Sequence, residues 1–287
     1  MRSTMRIAYF TGGDVGAGHL MRGLAIGRAL RRAGIAAEYR MFGPQLRFPI
    51  LATLDYDVVP LVPAELRNAA LAPVSALGRA ITAYAPDLLI ADLYWAPLRH
   101  LPIAGCEAWL LIRSCPRAWF GGPPDARFDP RRFTRIIGIE PVHPGVVTEH
   151  VDPVVVCNPD ECRPPGALRA HLGVAPGAPL VVVTHAGVPG EIDALAESAS
   201  ESVVRCDLLG DAALFPLAEW LGDADAVIAG AGYNSFWEAQ WLGWAPRTTF
   251  TPFTRMIDDQ AWRIANCGSY RMRANGADTL AGWARRG

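Results

Sequence analysis

Apolar runs typical of β-strands alternate with segments typical of helices, and this alternation restricts the fold more than any other feature of the sequence. The first run, Arg6 to Thr11, leads through a glycine-rich turn into an apolar-periodic segment from about His19 to Ala33, which Gly34 ends. Helix-like stretches such as Val74 to Tyr84 separate further strand-like runs at Ala37 to Phe42, Asp87 to Ala91, Glu107 to Ile112 and Arg135 to Ile139. The pattern predicts an α/β fold in which helices cover a parallel sheet.

A segment between Glu140 and Pro165 breaks this pattern, because its six prolines make it poor helix material. Beyond it the strand-like runs begin again at Leu180 to Thr184, Val203 to Leu208, Ala226 to Ala229 and Thr248 to Phe250. Helices are predicted near Glu191 to Ala199 and Asn234 to Leu242. We therefore predict that the proline-rich segment links two Rossmann-like, doubly wound domains, over residues 1–150 and 151–287, which face a central cleft.

The basic residues are all arginines: the chain has 27 of them and no lysine. Pyridoxal phosphate enzymes, other Schiff-base enzymes and Walker-type phosphate loops each need a lysine, so these classes are excluded and no cofactor is expected. A formal net charge of −1 predicts no general attraction to nucleic acid or to an anionic membrane. Six scattered cysteines without a CxxC pair, and no apolar stretch of about 18 residues, predict a reduced, soluble, cytoplasmic protein.

The turn after the first strand is the first candidate site. It lies just before the helix that begins near His19 and contains the acid Asp14 and the glycines Gly13, Gly16 and Gly18. This is the carboxyl edge of the predicted sheet, where open α/β folds bind ligands, and the glycines allow close approach to the backbone. A histidine there can take a proton from a nucleophile at neutral pH. A turn that needs glycine only for its geometry, followed by a solvated histidine, has the same sequence pattern.

A second candidate site follows the strand-like run that ends at Ala229. The turn after it opens a helix and contains Gly230, Gly232, Tyr233, Asn234 and Ser235. Amides at a helix N-terminus can neutralise a diphosphate without lysine or metal. Glu238, one turn further along the same helix face, can accept hydrogen bonds from ribose hydroxyls. Alternatively, Asn234 or Ser235 is a simple N-cap, and Glu238 only complements the helix dipole.

The run Gly16-Ala17-Gly18-His19-Leu20-Met21-Arg22 resembles the GxGHxxR signature that opens several GT-B glycosyltransferases. The similarity is to the peptidoglycan N-acetylglucosaminyltransferase family, which is glycosyltransferase family 28-like, and to the nucleotide-sugar hydrolase of the pseudaminic acid pathway. Met21 stands where the dinucleotide fingerprint GxGxxG has its third glycine, which disfavours a Rossmann dehydrogenase. The resemblance implies that His19 is the general base or orients the active site, and that Arg22 belongs to the same acceptor-side loop.

The second half also resembles the donor signature of GT-B enzymes. In the expected order it supplies Asp225, Gly230 with Gly232, Glu238, the turn Gly243 to Pro246, and Asp258-Asp259-Gln260. The resemblance implies that Glu238 holds the ribose, Gly232 to Ser235 the phosphates, and Asp259 with Gln260 the hydroxyls of the donor sugar. The turn that contains Gly187 carries His185 where a small residue is usual, and Arg263 replaces a frequent asparagine.

These features predict metal-independent, inverting transfer of a sugar from a UDP- or dTDP-sugar to an acceptor hydroxyl, with His19 as the base. Hydrolysis or epimerisation of a nucleotide sugar, and a catalytically inert nucleotide-sugar-binding protein, stay open, as do Asp14 and Asp92 as alternative bases. The expected partners are the nucleotide sugar and an acceptor, and a lipid acceptor would bring the protein to a membrane surface. No spacing of histidines or acids predicts a metal site, and the oligomeric state is left open.

Overall fold

The computed structural model describes residues 4–13, 17–46, 51, 53–103, 105–123, 127–141, 145–188, 190–197, 203–206 and 212–285. Two residues of the predicted acceptor-side loop, Asp14 and Gly16, lie outside these ranges. Within the ranges the chain forms two parallel β-sheets flanked by helices, which confirms the predicted α/β fold class. No helix in the described ranges is both long and apolar enough to cross a bilayer.

The first sheet has seven parallel strands in the order β3-β2-β1-β4-β5-β6-β7. Their bounds are β1 Met5–Thr11, β2 Ala37–Gly43, β3 Tyr56–Val58, β4 Leu88–Asp92, β5 Glu107–Ile112, β6 Arg135–Gly138 and β7 Glu149–His150. Strands β1, β4 and β5 are mostly buried, as expected where helices cover both faces. Because β2 and β4 flank β1 on opposite sides, a topological switch point lies between β1 and β4. The apolar pattern did not predict the short strands β3 and β7.

The second sheet has four parallel strands in the order β11-β10-β8-β9. Their bounds are β8 Val181–Thr184, β9 Val203–Cys206, β10 Ala226–Gly230 and β11 Thr248–Thr251. Its switch point lies between β8 and β10, which are hydrogen-bonded neighbours. The four predicted strands are present, although Leu208, the predicted end of β9, lies outside the described residues.

Eight α-helices accompany the sheets in the described ranges: α1 Gly18–Arg32, α2 Pro63–Leu66, α3 Ala76–Tyr84, α4 Ala167–Leu172, α5 Glu191–Glu197, α6 Tyr233–Leu242, α7 Gln260–Cys267 and α8 Gly276–Ala284. Local sequence explains several of their ends. The Ser75 side chain accepts a hydrogen bond from Gly78 N at the start of α3, and α3 ends at Ala85 in the left-handed conformation. The sequence did not predict α7, which begins where Asp259 accepts a hydrogen bond from Trp262 N.

The predicted linker is part of the core. Val154, Val155 and Val156 are each 1% exposed. Val154 N donates to Tyr233 Oη at 2.8 Å, and the backbone of Val155 exchanges two hydrogen bonds with the Asn275 side chain. These partners satisfy an extended backbone that has no neighbouring strand. Prolines prevent a helix here, but the valines still favour burial, which explains why this segment is not an exposed linker.

The last helix, α8, packs against α1 of the first half. Arg32 at the end of α1 donates to Asp278 in α8 at 3.0 Å and to Glu161 at 2.9 Å. One hydrophobic cluster accordingly contains residues of both halves, including Leu20 and Trp237. The predicted boundary at residue 150 coincides with the last residue of β7, and the division into two domains stays a prediction.

Candidate active site

Both predicted sites lie at switch points, on the carboxyl edges of the sheets. In the first sheet, Thr11 at the end of β1 is in register with Asp92 at the end of β4. In the second sheet, Thr184 at the end of β8 is in register with Ala229 in β10. At such a point the connections that leave the two neighbouring strands run in opposite directions, which leaves a crevice outside the carboxyl ends of the strands. The fold therefore forms two possible ligand crevices, one in each half.

The two carboxyl edges are in contact with each other. Ala17 N, just before α1, donates to Ala186 O in the turn after β8 at 3.2 Å. Asn234 Nδ2, in the first turn of α6, donates to Gly18 O at 3.2 Å. The predicted base loop and the predicted phosphate loop are thus adjacent, although they are more than 200 residues apart in sequence: the Asn234–Gly18 bond spans 216 positions.

His19 is buried in the first turn of α1, with 8% of its surface exposed. Its Nδ1 lies 3.0 Å from Asp92 Oδ2 and 3.0 Å from Arg22 Nη2. The other edge of the ring faces the glycine turn, since a Cβ at Gly13 would lie 2.8 Å from His19 Cδ2 and 3.3 Å from Nε2. Glycine at position 13 therefore makes room for the imidazole, and Nε2 is directed toward the loop.

Asp92 is fully buried and contacts a cation. Arg22 Nε donates to Asp92 Oδ2 at 2.8 Å, and Tyr9 Oη donates to the same oxygen at 2.6 Å. Burial by itself raises the pKa of Asp92, but the Arg22 charge and the contact with His19 outweigh it and hold the pKa well below its ordinary value. Asp92 is therefore an anion at neutral pH. Its Oδ1 has no hydrogen-bond partner within the described part of the chain.

Burial also dominates the titration of His19. It lowers the pKa of the imidazole; the Asp92 charge raises it and the Arg22 charge lowers it again. The net result is a pKa below the ordinary value of 6.5. His19 is consequently neutral at pH 7 and able to accept a proton.

The Tyr94 side chain packs against the same turn. The Tyr94 ring meets the His19 ring edge to face, with 5.1 Å between centroids, and meets Trp119 at 5.5 Å. Leu93, which precedes Tyr94, has a φ of +64°, and such values are rare for a bulky residue. Strained residues of this kind cluster at functional sites. Gly12 leaves room for Tyr94, because a Cβ at that position would collide with the ring.

The predicted phosphate turn opens α6. Gly232 is the N-cap in extended conformation, and Ser235 is half-buried in the first turn. Tyr233 is buried: its Oη donates to Ile139 O at 2.9 Å, and the Arg22 guanidinium lies 4.7 Å from the centre of its ring. Tyr233 thus joins the phosphate turn to the first half, while Gly232 and Ser235 retain some exposure.

Glu238, the predicted ribose ligand, lies on the second turn of α6 and is 8% exposed. Burial raises its pKa to about 7, although a hydrogen bond from the backbone of Val156 acts in the opposite direction. At neutral pH the carboxyl group is therefore divided between its charged and neutral forms, so it can donate as well as accept a hydrogen bond.

Asp259 and Gln260, the predicted ligands of the donor sugar, lie at the start of α7. Asp259 is exposed, and its Oδ1 accepts from Trp262 N at 2.9 Å. Gln260 is buried: its Oε1 accepts from Phe253 N at 2.9 Å, and its Nε2 donates to Asp258 at 3.3 Å. Asp259 is the more accessible of the two side chains.

His185 and Gly187 lie in the turn after β8. His185 Nε2 is 2.7 Å from Glu191 Oε2, and Arg255 Nη1 donates to Glu191 Oε1 at 2.7 Å. The His185 ring packs on Phe253, with 4.8 Å between centroids. A histidine, an acid and an arginine therefore meet at the second switch point, as they do at the first.

Solved structures of similar fold identify the fold. The spinosyn forosaminyltransferase SpnP aligns with a TM-score of 0.59 and 17% identity over 99% of this chain and 90% of that one. The glycosyltransferase SnogD from Streptomyces nogalater aligns at 0.55 and 18% over 99% and 95%. The glycosyltransferase VinC, in complex with dTDP, aligns at 0.51 and 15% over 98% and 90%. The chain has the GT-B fold. The predicted fold family is thereby confirmed.

No protein-family model matches the sequence, and no curated protein matches it at a significant level. The structural likeness at 15 to 18% identity establishes the GT-B fold and leaves the reaction to be argued from the site.

Buried ion pairs join the two halves of this GT-B chain, and the sequence patterns did not predict them. Arg263 Nε donates to Glu140 Oε1 at 2.7 Å, across 123 positions. Arg113 Nη1 donates to Asp258 Oδ1 at 2.8 Å, across 145 positions. Arg263, noted only because it replaces an asparagine, also contacts Asp258. Such distant pairs leave no periodic signal in a single sequence.

Within the GT-B fold the first half supplies a neutral, buried imidazole in contact with a carboxylate, and the second half supplies the N-terminus of α6. The imidazole can accept a proton, and the helix end can bind an anion. Among the described residues, no group of three or more His, Cys, Asp and Glu side chains has a geometry that could hold a metal ion.

Proposed function

We propose that the protein transfers a sugar from a UDP- or dTDP-sugar to an acceptor hydroxyl. The observation that carries the proposal is the contact between His19 and Asp92, 3.0 Å apart, at the first switch point, directly beside the phosphate turn of the second half. An inverting glycosyl transfer with a diphosphate leaving group uses a base to activate the acceptor and positive charge to stabilise the leaving group, and a base next to an anion-binding helix end supplies both.

His19 is the proposed base. In the proposed tautomer, Nδ1–H donates a hydrogen bond to the anionic Asp92, which leaves the Nε2 lone pair free to accept the proton of the acceptor hydroxyl. When Nε2 takes the proton, the resulting imidazolium lies against a carboxylate, so the charge that forms during the reaction is stabilised. Arg22 keeps Asp92 ionised and in position through the 2.8 Å bond from Nε. Gly13 and Gly18 are proposed to form the acceptor side of the site.

The donor is proposed to bind in the second half. Gly187, Gly230, Gly232 and Ser235 surround the diphosphate, Glu238 holds the ribose, and Asp259 contacts the sugar hydroxyls. Tyr233, Asn234 and Gln260 support this site chiefly through their bonds to Ile139, Gly18 and Phe253. Because the proposal assigns one base, His19, and no covalent nucleophile, a single displacement with inversion is the expected course.

Incubation of the purified protein with a panel of UDP- and dTDP-sugars tests the proposal, with nucleoside diphosphate release measured with and without candidate acceptors. We expect release that depends on an acceptor and is unchanged by EDTA, and a product whose anomeric configuration, read by NMR, is opposite to that of the donor. Release without any acceptor would instead indicate hydrolysis. A panel with neither binding nor turnover would contradict the proposal, and loss of activity in EDTA that magnesium restores would contradict its metal-independent form.

A further inference from the structure

His185 fills the crevice at the second switch point. It follows β8 directly, and its Nδ1 lies so close to Gly230 that any Cβ at position 230 would collide with it. A Cβ at Gly187 would collide with its Nε2 side and with Glu191. The imidazole therefore packs between two of the turns proposed to surround the diphosphate. An anion bound at these turns would contact this ring.

The charges around His185 come from two other elements. Glu191, in the first turn of α5, accepts from Val188 N at 2.9 Å and lies 2.7 Å from His185 Nε2. Arg255, after β11, forms a salt bridge with the same carboxylate. With His185 neutral, these three side chains sum to zero charge; with His185 protonated, they sum to +1. The chain contains no lysine. Among the described residues, Arg255 and the protonated form of His185 are the cations that pair with Glu191 at this turn.

The free protein favours the neutral form of His185. Burial lowers the pKa of the imidazole below 6.5, Glu191 raises it, and Arg255 lowers it. A diphosphate bound beside the ring would act in the opposite direction, because a nearby negative charge favours the protonated form. Binding and protonation of His185 would then reinforce each other.

We propose that His185, positioned by Glu191 and assisted by Arg255, binds the diphosphate of the nucleotide and takes up a proton as it does so. The inference rests on the proposed function, because it assumes a nucleoside diphosphate in the second half. It adds a full positive charge for the leaving group to the partial positive charge that the N-terminus of α6 already supplies. His185 thus acts on the donor side, in contrast to His19 on the acceptor side.

Calorimetric titration of the wild-type protein with UDP and dTDP, in buffers of different ionisation enthalpy, measures the proton uptake. We expect uptake of up to one proton near pH 7. The affinity should rise as the pH falls between the pKa of His185 in the complex and its lower value in the free protein, by at most about tenfold per pH unit. Binding without proton uptake and without this pH dependence would overturn the inference.

The variant His185→Gln distinguishes proton uptake by the histidine from proton uptake by the nucleotide's own phosphate, which titrates near pH 6. We expect UDP to bind about 10- to 100-fold more weakly and the proton uptake to disappear, while UMP binding changes less. His171→Gln, on α4 where the ring packs against Trp220, is the matched control and should leave both quantities unchanged. Unchanged UDP affinity and uptake in His185→Gln would refute the role of His185.

Arg255→Gln provides a second variant in case His185→Gln does not fold. It should weaken UDP binding but preserve the proton uptake, since His185 remains. An unchanged UDP affinity would show that Arg255 does not assist binding. Loss of the proton uptake would contradict the assignment of the proton to His185. If the wild-type protein binds UDP and dTDP but shows neither the proton uptake nor the expected loss of affinity in the variants, the inference about His185 alone is wrong. If it binds neither nucleotide, the proposed function fails with it.

Discussion

The two switch points each bring together a histidine, an acid and an arginine, but they bury them differently. At the first, the side chains of His19, Asp92 and Arg22 are 10%, 0% and 2% exposed. At the second, His185 is 8% exposed, whereas its partners Glu191 and Arg255 are 17% and 23% exposed. The first acid belongs to a strand inside the sheet, and the second to the first turn of a short helix at the surface.

This difference in burial has a chemical consequence. A fully buried carboxylate cannot exchange its partners for water, so Asp92 can only orient His19 and stabilise its charge. Glu191 and Arg255 are accessible enough for an incoming anion to compete for Arg255 and His185. The same three residue types can therefore form a rigid base at one edge and an adaptable anion site at the other.

Replacement of His19 should have the largest effect. His19→Ala should lower kcat by about 10²- to 10⁴-fold, because a positioned general base contributes that much, while UDP affinity stays nearly constant. Steady-state kinetics and calorimetry on the same preparation measure the two quantities. If UDP binding collapses while kcat survives, the two edges do not divide the roles as proposed, and His19 positions the ligand instead.

Replacement of Asp92 and replacement of Glu191 should lower the free energy of unfolding by different amounts. Asp92→Asn should lower the free energy of unfolding by about 3 to 5 kcal/mol, because it leaves the buried Arg22 charge unpaired. Glu191→Gln should cost about 1 kcal/mol or less, since solvent screens that pair. Urea denaturation at pH 7 measures both, with the surface variant Asp129→Asn as a control that should not change. Equal losses at Asp92 and Glu191 would show that burial does not distinguish the two sites.

The stabilisation that Asp92 contributes should depend on pH in a known direction. Its folded pKa lies below the unfolded value of about 3.9, so its stabilisation is fully present above that value and is lost as the pH falls toward the folded pKa. The difference in the free energy of unfolding between wild type and Asp92→Asn should therefore be constant from pH 5 to 8 and decrease in stronger acid.

Glu238 tests whether the ribose binds in the second half. Glu238→Ala should weaken UDP binding by about 1.5 to 3 kcal/mol through the loss of hydrogen bonds to a charged group. Glu38→Ala, an exposed acid on β2 of the first half, is the control and should have no effect. Calorimetry that finds an affinity unchanged within about 0.5 kcal/mol would remove Glu238 from the donor site, despite its place on α6.

The two histidines should also produce opposite pH dependences. Burial lowers the pKa of His19 below 6.5, and the base must be neutral to react. At saturating donor, the rate should therefore be constant at neutral pH and fall about tenfold per unit only below pH 6.5, while UDP affinity increases in the same direction. A rate that begins to fall above pH 7 would mean that a group other than His19 is the base.

The sequence by itself determined the repeated unit of strand, turn and helix. Strands covered on both faces are continuous apolar runs, so β1 and the helix α1 that comes next were both visible in one short stretch. The bounds of β5 were predicted without error, because apolar residues fill it and a polar residue ends it. Short strands such as β7, with two residues, carry too little pattern to be recognised.

The tertiary structure decided which polar residues meet. Asp92 was one of two alternative bases until β4 came into register with β1 and brought it 3.0 Å from His19. His185 was only a departure from a glycine turn until Glu191 and Arg255 folded onto it. Proline content predicted a linker, and only the tertiary structure shows that the valines of its 154–156 segment are buried in the core. Apolar burial repeats along the chain and is legible in sequence, whereas an ion pair between residues 70 or more positions apart follows only from the packing of the elements that carry them.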